Sequence, residues 1–356
     1  DLADASLGVV VSASHNPASD NGIKFFGGDG GKLTDALEDR IEARLRQGPP
    51  WRTPRAGVGI RFPRTNGVDE YLTWLKSDIA YTLRGIDVAI DGANGAAFLA
   101  APRLFDELGL NVRTVACEPD GLNINDGCGA THPEFLASQL DGEIGLVFDG
   151  DADRFVAIDE AGVPLNGDVI MAIIARHLHE QGKLKNDTVV VTVMTNLGFR
   201  RAMAELDIAV VETAVGDRYV LEAMREHKAN LGGEQSGHVI FLDHISTGDG
   251  LLTALRLLEV VAATGRPLTE LRQVMTDYPQ VLRNVRVADR AGLDGAEAVW
   301  EAVRHTEELL GGGGRVLIRP SGTEPLVRVM VEAATKTDAA TIADDLASVV
   351  RGELGE

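Results

Sequence analysis

The hydroxyl of Ser14, the imidazole of His15 and the carboxylates of Asp149, Asp151 and Asp153 are the groups of this sequence best suited by type and spacing to do chemistry. Ser14 ends the stretch Val9-Val10-Val11-Ser12-Ala13-Ser14-His15-Asn16-Pro17, an apolar run that enters a turn of small residues and stops at a proline. The run predicts a buried central strand with the hydroxyl projecting from its carboxyl end, where open α/β sheets hold their ligands. In Val147-Phe148-Asp149-Gly150-Asp151-Ala152-Asp153-Arg154 a second apolar strand delivers three aspartates at alternate positions, a spacing that can turn them toward one cation. Hard oxygen donors in this pattern suit Mg²⁺, which commonly shares its coordination with a phosphate. A lone Asp-x-Asp reads better as an acidic turn capping a helix, but three aspartates after a strand favour the metal. A metal beside a hydroxyl points to phosphoryl transfer, with a phosphorylated Ser14 as a further ligand.

His15 and Lys24 flank Ser14 in one short loop, the first suited to hydrogen bonding or proton traffic and the second to fixed positive charge near transferring oxygens. Taken singly, His15 would be a turn residue and Lys24 a solvated one. Arg154 is a further candidate cation of the site. The segment Gly232-Gly233-Glu234-Gln235-Ser236-Gly237-His238 lets backbone approach a polyhydroxylated ligand, with Glu234 and Ser236 suited to vicinal hydroxyls and His238 beside them. Its alternative is a tight hairpin turn with Glu234 exposed. Arg319-Pro320-Ser321-Gly322-Thr323-Glu324-Pro325 offers an anion nest at Ser321, Gly322 and Thr323, and Arg319 and Arg328 supply bidentate forks. This loop suits a phosphate that is held rather than transferred; the alternative is a turn between strands. The turn Asp91-Gly92-Ala93-Asn94-Gly95-Ala96 reads as structural, and Arg218 as near a cleft or in a domain contact.

The elements that must position these groups alternate between strand and helix patterns up to about residue 275: strands over 86–90, 144–148 and 188–194, helices over 97–108, 168–181 and 198–205. Four prolines in tract 46–66 make a boundary before a helix over 69–79. After Pro279 the texture becomes strand 281–287, helix 293–310, strands 315–318 and 327–333 and helix 338–351, a compact α+β cap. The expected domains are therefore 1–66 with the serine loop, 67–165 with the metal loop, 166–277 with the sugar loop and 278–356 with the phosphate loop. The fold class is α/β, three related α/β domains and a C-terminal α+β domain around a central cleft. A buried strand at 7–11 needs neighbours that little sequence precedes it to supply, so the first domain is expected to be truncated at its N-terminus.

The 356 residues exceed what one core usually serves, and a formal charge of −20 would repel nucleic acid and anionic lipid. Neither nucleic acid nor membrane is an expected partner. Cys117 and Cys128 read as packing thiols, and with no visible signal peptide they predict a cytoplasmic setting.

Taken together, the serine, metal, sugar and phosphate loops, in that order, resemble the α-D-phosphohexomutase superfamily across essentially the whole chain. Glu-Gln-Ser in the sugar loop, Gly216-Asp217-Arg218-Tyr219-Val220 and Ser246-Thr247-Gly248-Asp249-Gly250 look most like its bacterial glucosamine-phosphate branch. The resemblance implies a Mg²⁺-dependent isomerase with phosphorylated Ser14, interconverting glucosamine 6-phosphate and glucosamine 1-phosphate through glucosamine 1,6-bisphosphate, on the route to cell-wall amino sugars. It implies a small phosphosugar partner and leaves a homodimer open. Rival readings are a phosphomannomutase or phosphoglucomutase, a metal-dependent phosphatase and a phosphosugar-binding remnant. Two departures stand out: Ala152 replaces a common Gly, and the family's early Gly-Ile-Arg loop has no counterpart, which predicts weak or no turnover if the chain is complete as written.

Overall fold

The computed structural model describes residues 5–28, 30–48, 59–321 and 324–355. The chain forms two compact units, Asp1–Val193 with Val211–Arg272, and Met194–Val210 with Gln273–Glu356.

The first unit begins with strands β1 (Leu7–Ser12) and β2 (Gly22–Gly27), which pair antiparallel with Ser12 opposite Gly22 and Val10 opposite Lys24. Here the structure corrects the expected central strand: Val9, Val10 and Val11 are 53%, 42% and 65% exposed. Burial of a strand needs a partner on each side, and among the described residues β1 pairs with β2 alone. The hairpin nevertheless places Ser14 just beyond one strand and Lys24 on the other.

Helices α1 (Asp35–Arg46) and α2 (Gly67–Lys76) follow; α2 buries Leu72 and Leu75. Strands β3 (Asp87–Asp91), β4 (Asn111–Val115), β5 (Ile144–Phe148), β6 (Phe155–Ile158) and β7 (Pro164–Leu165) form a sheet in the order β4-β3-β5-β6-β7. Helix α3 (Ala97–Glu107) connects β3 to β4, and the short α4 (Pro133–Ala137) precedes β5. β4, β3 and β5 run parallel, whereas β5–β6 and β6–β7 are antiparallel. The sequence pattern passes from strand 144–148 directly to a helix at 168 and misses β6 and β7. Phe155-Val156-Ala157-Ile158 is all buried and too short for periodicity to identify.

Next come α5 (Gly167–Glu180), β8 (Thr188–Thr192), α6 (Leu197–Glu205) of the second unit, β9 (Ala209–Thr213), α7 (Asp217–His227), β10 (Leu231–Gly233), β11 (Val239–Phe241), α8 (Gly250–Thr264) and the one-turn α9 (Leu268–Leu271). The sheet order is β11-β10-β8-β9, with β10 parallel to β8 and antiparallel to β11. Caps set the helix starts: Asn166 accepts from the amides of Asp168 and Val169, and Asp249 from that of Leu252.

In the second unit, β12 (Gln280–Arg286), β13 (Arg315–Pro320) and β14 (Leu326–Glu332) form an antiparallel sheet ordered β12-β14-β13. Its core joins Val285, Val327 and Val329 to Val299 of α10 (Glu297–Leu310) and Leu346 of α11 (Lys336–Leu354). The helix expected over 293–310 is split, a 3₁₀ segment Arg290–Gly295 preceding α10, because Gly292 and Gly295 disfavour continuous helix. No helix among the described residues is long and apolar enough to cross a membrane.

Candidate active site

The metal loop is the turn of the β5–β6 hairpin, closed by Phe148 opposite Phe155 with ring centroids 5.6 Å apart. Inside it, the Ala152 amide donates to the Asp149 carbonyl at 3.0 Å and the Arg154 amide to Asp149 Oδ1 at 3.1 Å. Ala152 adopts φ +59°, a left-handed conformation that favours glycine. The tight turn gathers what the sequence spaces apart: one carboxylate oxygen from each of Asp149, Asp151 and Asp153 lies within 4.8 Å of the others. Asp149 Oδ2, Asp151 Oδ1 and Asp153 Oδ1 are buried with no hydrogen-bond partner. Buried carboxylate oxygens left unpaired are costly, and a divalent cation with oxygen preference satisfies all three. The residues present therefore fit Mg²⁺.

The charges around the cluster are uneven. Burial, then Asp153 and Asp151, push the Asp149 carboxyl up to about 8. Burial acts in the same sense on Asp153, but His238, Lys24 and Arg154 outweigh it and hold that carboxyl well below the usual range.

The serine loop is bound to this hairpin. Ser14 has φ +51°, and its amide donates to Ser12 Oγ at 2.8 Å. Lys24, from β2, places Nζ 2.5 Å from Asp151 Oδ2 and 3.5 Å from Asp153 Oδ2. Burial works against the ammonium, but Asp151 and Asp153 together raise its pKa, so it remains a fixed cation. His15 is lowered by burial and then by Arg154, against the pull of Asp151 and Asp153, and its Nδ1 is buried without a hydrogen-bond partner. A Cβ at Gly150 would overlap the Ser14 carbonyl oxygen, so only glycine permits the metal loop to approach the serine loop this closely.

The sugar loop is the turn between β10 and β11, so the hairpin alternative is geometrically true as well. Glu234 is not simply exposed: its Oε1 accepts from the Gly216 amide at 3.1 Å, and Ser236 Oγ lies 3.4 Å from its Oε2. The Phe155 amide donates to the Gly237 carbonyl at 3.1 Å, which locks this turn onto the metal hairpin. His238, expected at the substrate, turns inward and is 4% exposed. Its Nε2 accepts from the Gly248 amide at 3.0 Å, which puts the proton of the neutral ring on Nδ1, 3.6 Å from Asp153 Oδ2. Arg218 pairs with Glu222 on its own helix.

In the second unit, the β13–β14 register sets Arg319 directly opposite Arg328. Like charges facing across a strand pair destabilise a sheet, so the arrangement suits an anion. Burial, then Arg328, lowers the Arg319 guanidinium, and Arg328 Nε is buried without a hydrogen-bond partner. Ser321 is buried, its Oγ accepting from the Glu324 amide and its carbonyl from Arg290 Nη1. Gly322 and Thr323 lie outside the described residues.

Two contributors escape the sequence patterns. Asn125 Nδ2 donates to the carbonyls of Ser14 at 2.8 Å and Asn16 at 2.7 Å. Its one local signal is an Asn at φ +56° in a glycine-rich turn. The 91–96 turn, read from the sequence as structural, packs on the metal loop: a Cβ at Gly95 would overlap the Gly150 carbonyl, and the Ala96 amide donates to that oxygen at 2.8 Å.

Known proteins resemble this chain along nearly its whole length. Family descriptions for phosphoglucomutase/phosphomannomutase match in chain order: alpha/beta/alpha domain I over residues 2–50, domain II over 69–162, domain III over 166–278 and the C-terminal domain over 282–349. A phosphoglucosamine mutase from Oceanobacillus iheyensis is 50% identical over 355 residues, covering 99% of this chain and 80% of that protein. The Bacillus subtilis phosphoglucosamine mutase is 50% identical over 358 residues, with the same coverage. Among solved structures, a phosphoglucomutase/phosphomannomutase family protein from Burkholderia thailandensis superposes with a TM-score of 0.79 at 25% identity, covering 98% of this chain and 76% of that one. An Aspergillus fumigatus N-acetylphosphoglucosamine mutase, in complex with GlcNAc-6P and magnesium, has the same fold with a TM-score of 0.74 at 20% identity, covering 99% and 90%. By four successive domain matches and relatives half identical over nearly its whole length, the chain belongs to the phosphoglucomutase/phosphomannomutase family of α-D-phosphohexomutases.

Proposed function

We infer that this protein has phosphoglucosamine mutase activity, interconverting glucosamine 6-phosphate and glucosamine 1-phosphate. One observation carries the chemistry: the Ser14 loop and the Asp149–Asp153 carboxylates are joined by the Lys24 ion pairs into a single assembly. The choice of amino sugar follows the curated relatives, which share half their residues with this chain over 98–99% of its length and are phosphoglucosamine mutases.

In the proposed cycle, a phosphoryl group on Ser14 Oγ passes to the free hydroxyl of the bound sugar phosphate. The serine P–O bond breaks as the sugar P–O bond forms, and glucosamine 1,6-bisphosphate results. After reorientation, Ser14 takes the other phosphoryl group by the reverse step. His15, held neutral, receives the proton of the attacking hydroxyl and returns it to the leaving oxygen. Lys24 and Arg154 stabilise charge on the transferring oxygens. Asp149, Asp151, Asp153 and an oxygen of phosphorylated Ser14 would hold Mg²⁺, which supplies Lewis-acid withdrawal of charge when bound. Glu234 and Ser236 would hydrogen-bond sugar hydroxyls, with His238 acting through Asp153. In the second unit, Arg319, Arg328, Ser321, Gly322 and Thr323 are proposed to hold the phosphate that is not in transfer.

The deciding measurement compares kcat/KM for glucosamine, glucose and mannose phosphates; a preference for the neutral sugars would reject the amino-sugar assignment. Intact mass tests the covalent step: one phosphate on Ser14, lost in Ser14→Ala. Phosphate release matching turnover would indicate a phosphatase instead, and substrate binding without phosphorylation a binding remnant.

A further inference from the structure

We propose that Asn125 is the positioning residue for the phosphoryl-carrying serine. The inference rests on the mutase reading for its activity arm, but its geometric basis is independent. Asn125 is buried and lies more than a hundred positions from the loop it contacts. Both hydrogens of its side-chain amide are used on that loop, one on the Ser14 carbonyl at 2.8 Å and one on the Asn16 carbonyl at 2.7 Å. Its own amide donates to the Ala93 carbonyl at 2.9 Å, which anchors it to the turn after β3. A Cβ at Gly150 would overlap both the Ser14 carbonyl oxygen and Asn125 Nδ2, so the amide, the serine carbonyl and the metal loop meet at one point.

The need for such a clamp follows from the backbone of Ser14, which is left-handed, a conformation that a non-glycine residue keeps only when its surroundings impose it. Two hydrogen bonds to the carbonyls on either side of His15 fix the direction of the Ser14 backbone and hence of Oγ. A displacement of about 1 Å at a reacting group can lower turnover about 100-fold.

Asn125→Gly tests this cleanly, because glycine accepts the +56° φ while deleting the amide. Asn125→Asp keeps the shape but faces two carbonyl oxygens with acceptors. Asn123→Ala controls for loop stability: the Asn123 side chain accepts from the Asp120 amide and donates to the Glu118 carbonyl, both in its own loop. Both Asn125 variants are expected to lower kcat about 100-fold with KM changed less than about threefold, and to slow Ser14 phosphorylation by glucose 1,6-bisphosphate. Asn123→Ala is expected to lower Tm and leave kcat within about twofold. Amide hydrogen exchange over residues 13–16, which needs no substrate, should accelerate at least about tenfold in Asn125→Gly. Wild-type exchange in that variant overturns the proposal whatever sugar the enzyme uses. Wild-type kcat with a lowered Tm also overturns it, reducing Asn125 to a stability residue. Accelerated exchange in a protein whose wild type turns over no phosphosugar would sustain the clamp and reject the mutase reading instead.

Discussion

Lys24 Nζ lies 2.5 Å from Asp151 Oδ2, so the ammonium of the serine hairpin is already the counter-ion of the metal loop. It reaches Asp153 as well, at 3.5 Å. The same cation therefore offsets the charge of Asp151 and Asp153 and acts on His15, the residue after the serine proposed to carry phosphate.

Lys24→Met should separate those duties. Turnover is expected to fall about 100-fold or more, because a fixed positive charge near the transferring oxygens is gone. In metal-free buffer Tm should drop, since the clustered carboxylates lose their cation, and Mg²⁺ should recover more of Tm in the variant than in the wild type. Thermal melts with EDTA and with Mg²⁺ check this; identical melts for the two proteins would mean that Lys24 is merely solvated.

Ala152→Gly should stabilise the protein. Alanine at φ +59° is strained by about 1 kcal/mol, partly offset by glycine's greater freedom in the unfolded chain, so a net gain of up to about 1 kcal/mol is expected. A urea titration that shows a lower midpoint for the variant contradicts the left-handed assignment.

Arg319 and Arg328 face each other on β13 and β14, so an anion between them should stabilise the fold. Inorganic phosphate at ten times its dissociation constant would contribute about 1.4 kcal/mol. Arg319→Gln should remove most of that gain in a phosphate-dependent melt. An undiminished shift would place the phosphate elsewhere.

The thiols should be inert in the folded protein. Burial, with Asp91 nearby, pushes Cys117 up to about 11 and Cys128 up to about 12. At pH 8 both thiols should be almost entirely protonated and so poor nucleophiles. Iodoacetamide should leave the native mass unchanged over the time in which the urea-unfolded chain gains two adducts, one on each cysteine. Rapid native labelling would show that the 117–129 segment opens.

What the sequence determined by itself is the chemistry and most of the elements. Three aspartates at alternate positions, a serine before histidine and two arginines around a Ser-Gly-Thr turn are local signals, carried by residue type and spacing. Helices such as α3, α5 and α11 and strands such as β5 and β14 follow from periodicity, which local burial alone enforces. The tertiary structure alone decided which local features meet. The valines of β1 look like core yet stay exposed, because burial depends on neighbours that periodicity cannot supply. His238 looks like a ligand reader yet turns to Asp153, since its ring direction is set by the distant Gly248 amide. Asn125 and Gly95 carry no chemical signature; each matters through a contact made when segments far apart in the chain pack at Gly150. Such contacts depend on close approach in three dimensions, and linear spacing holds no record of it.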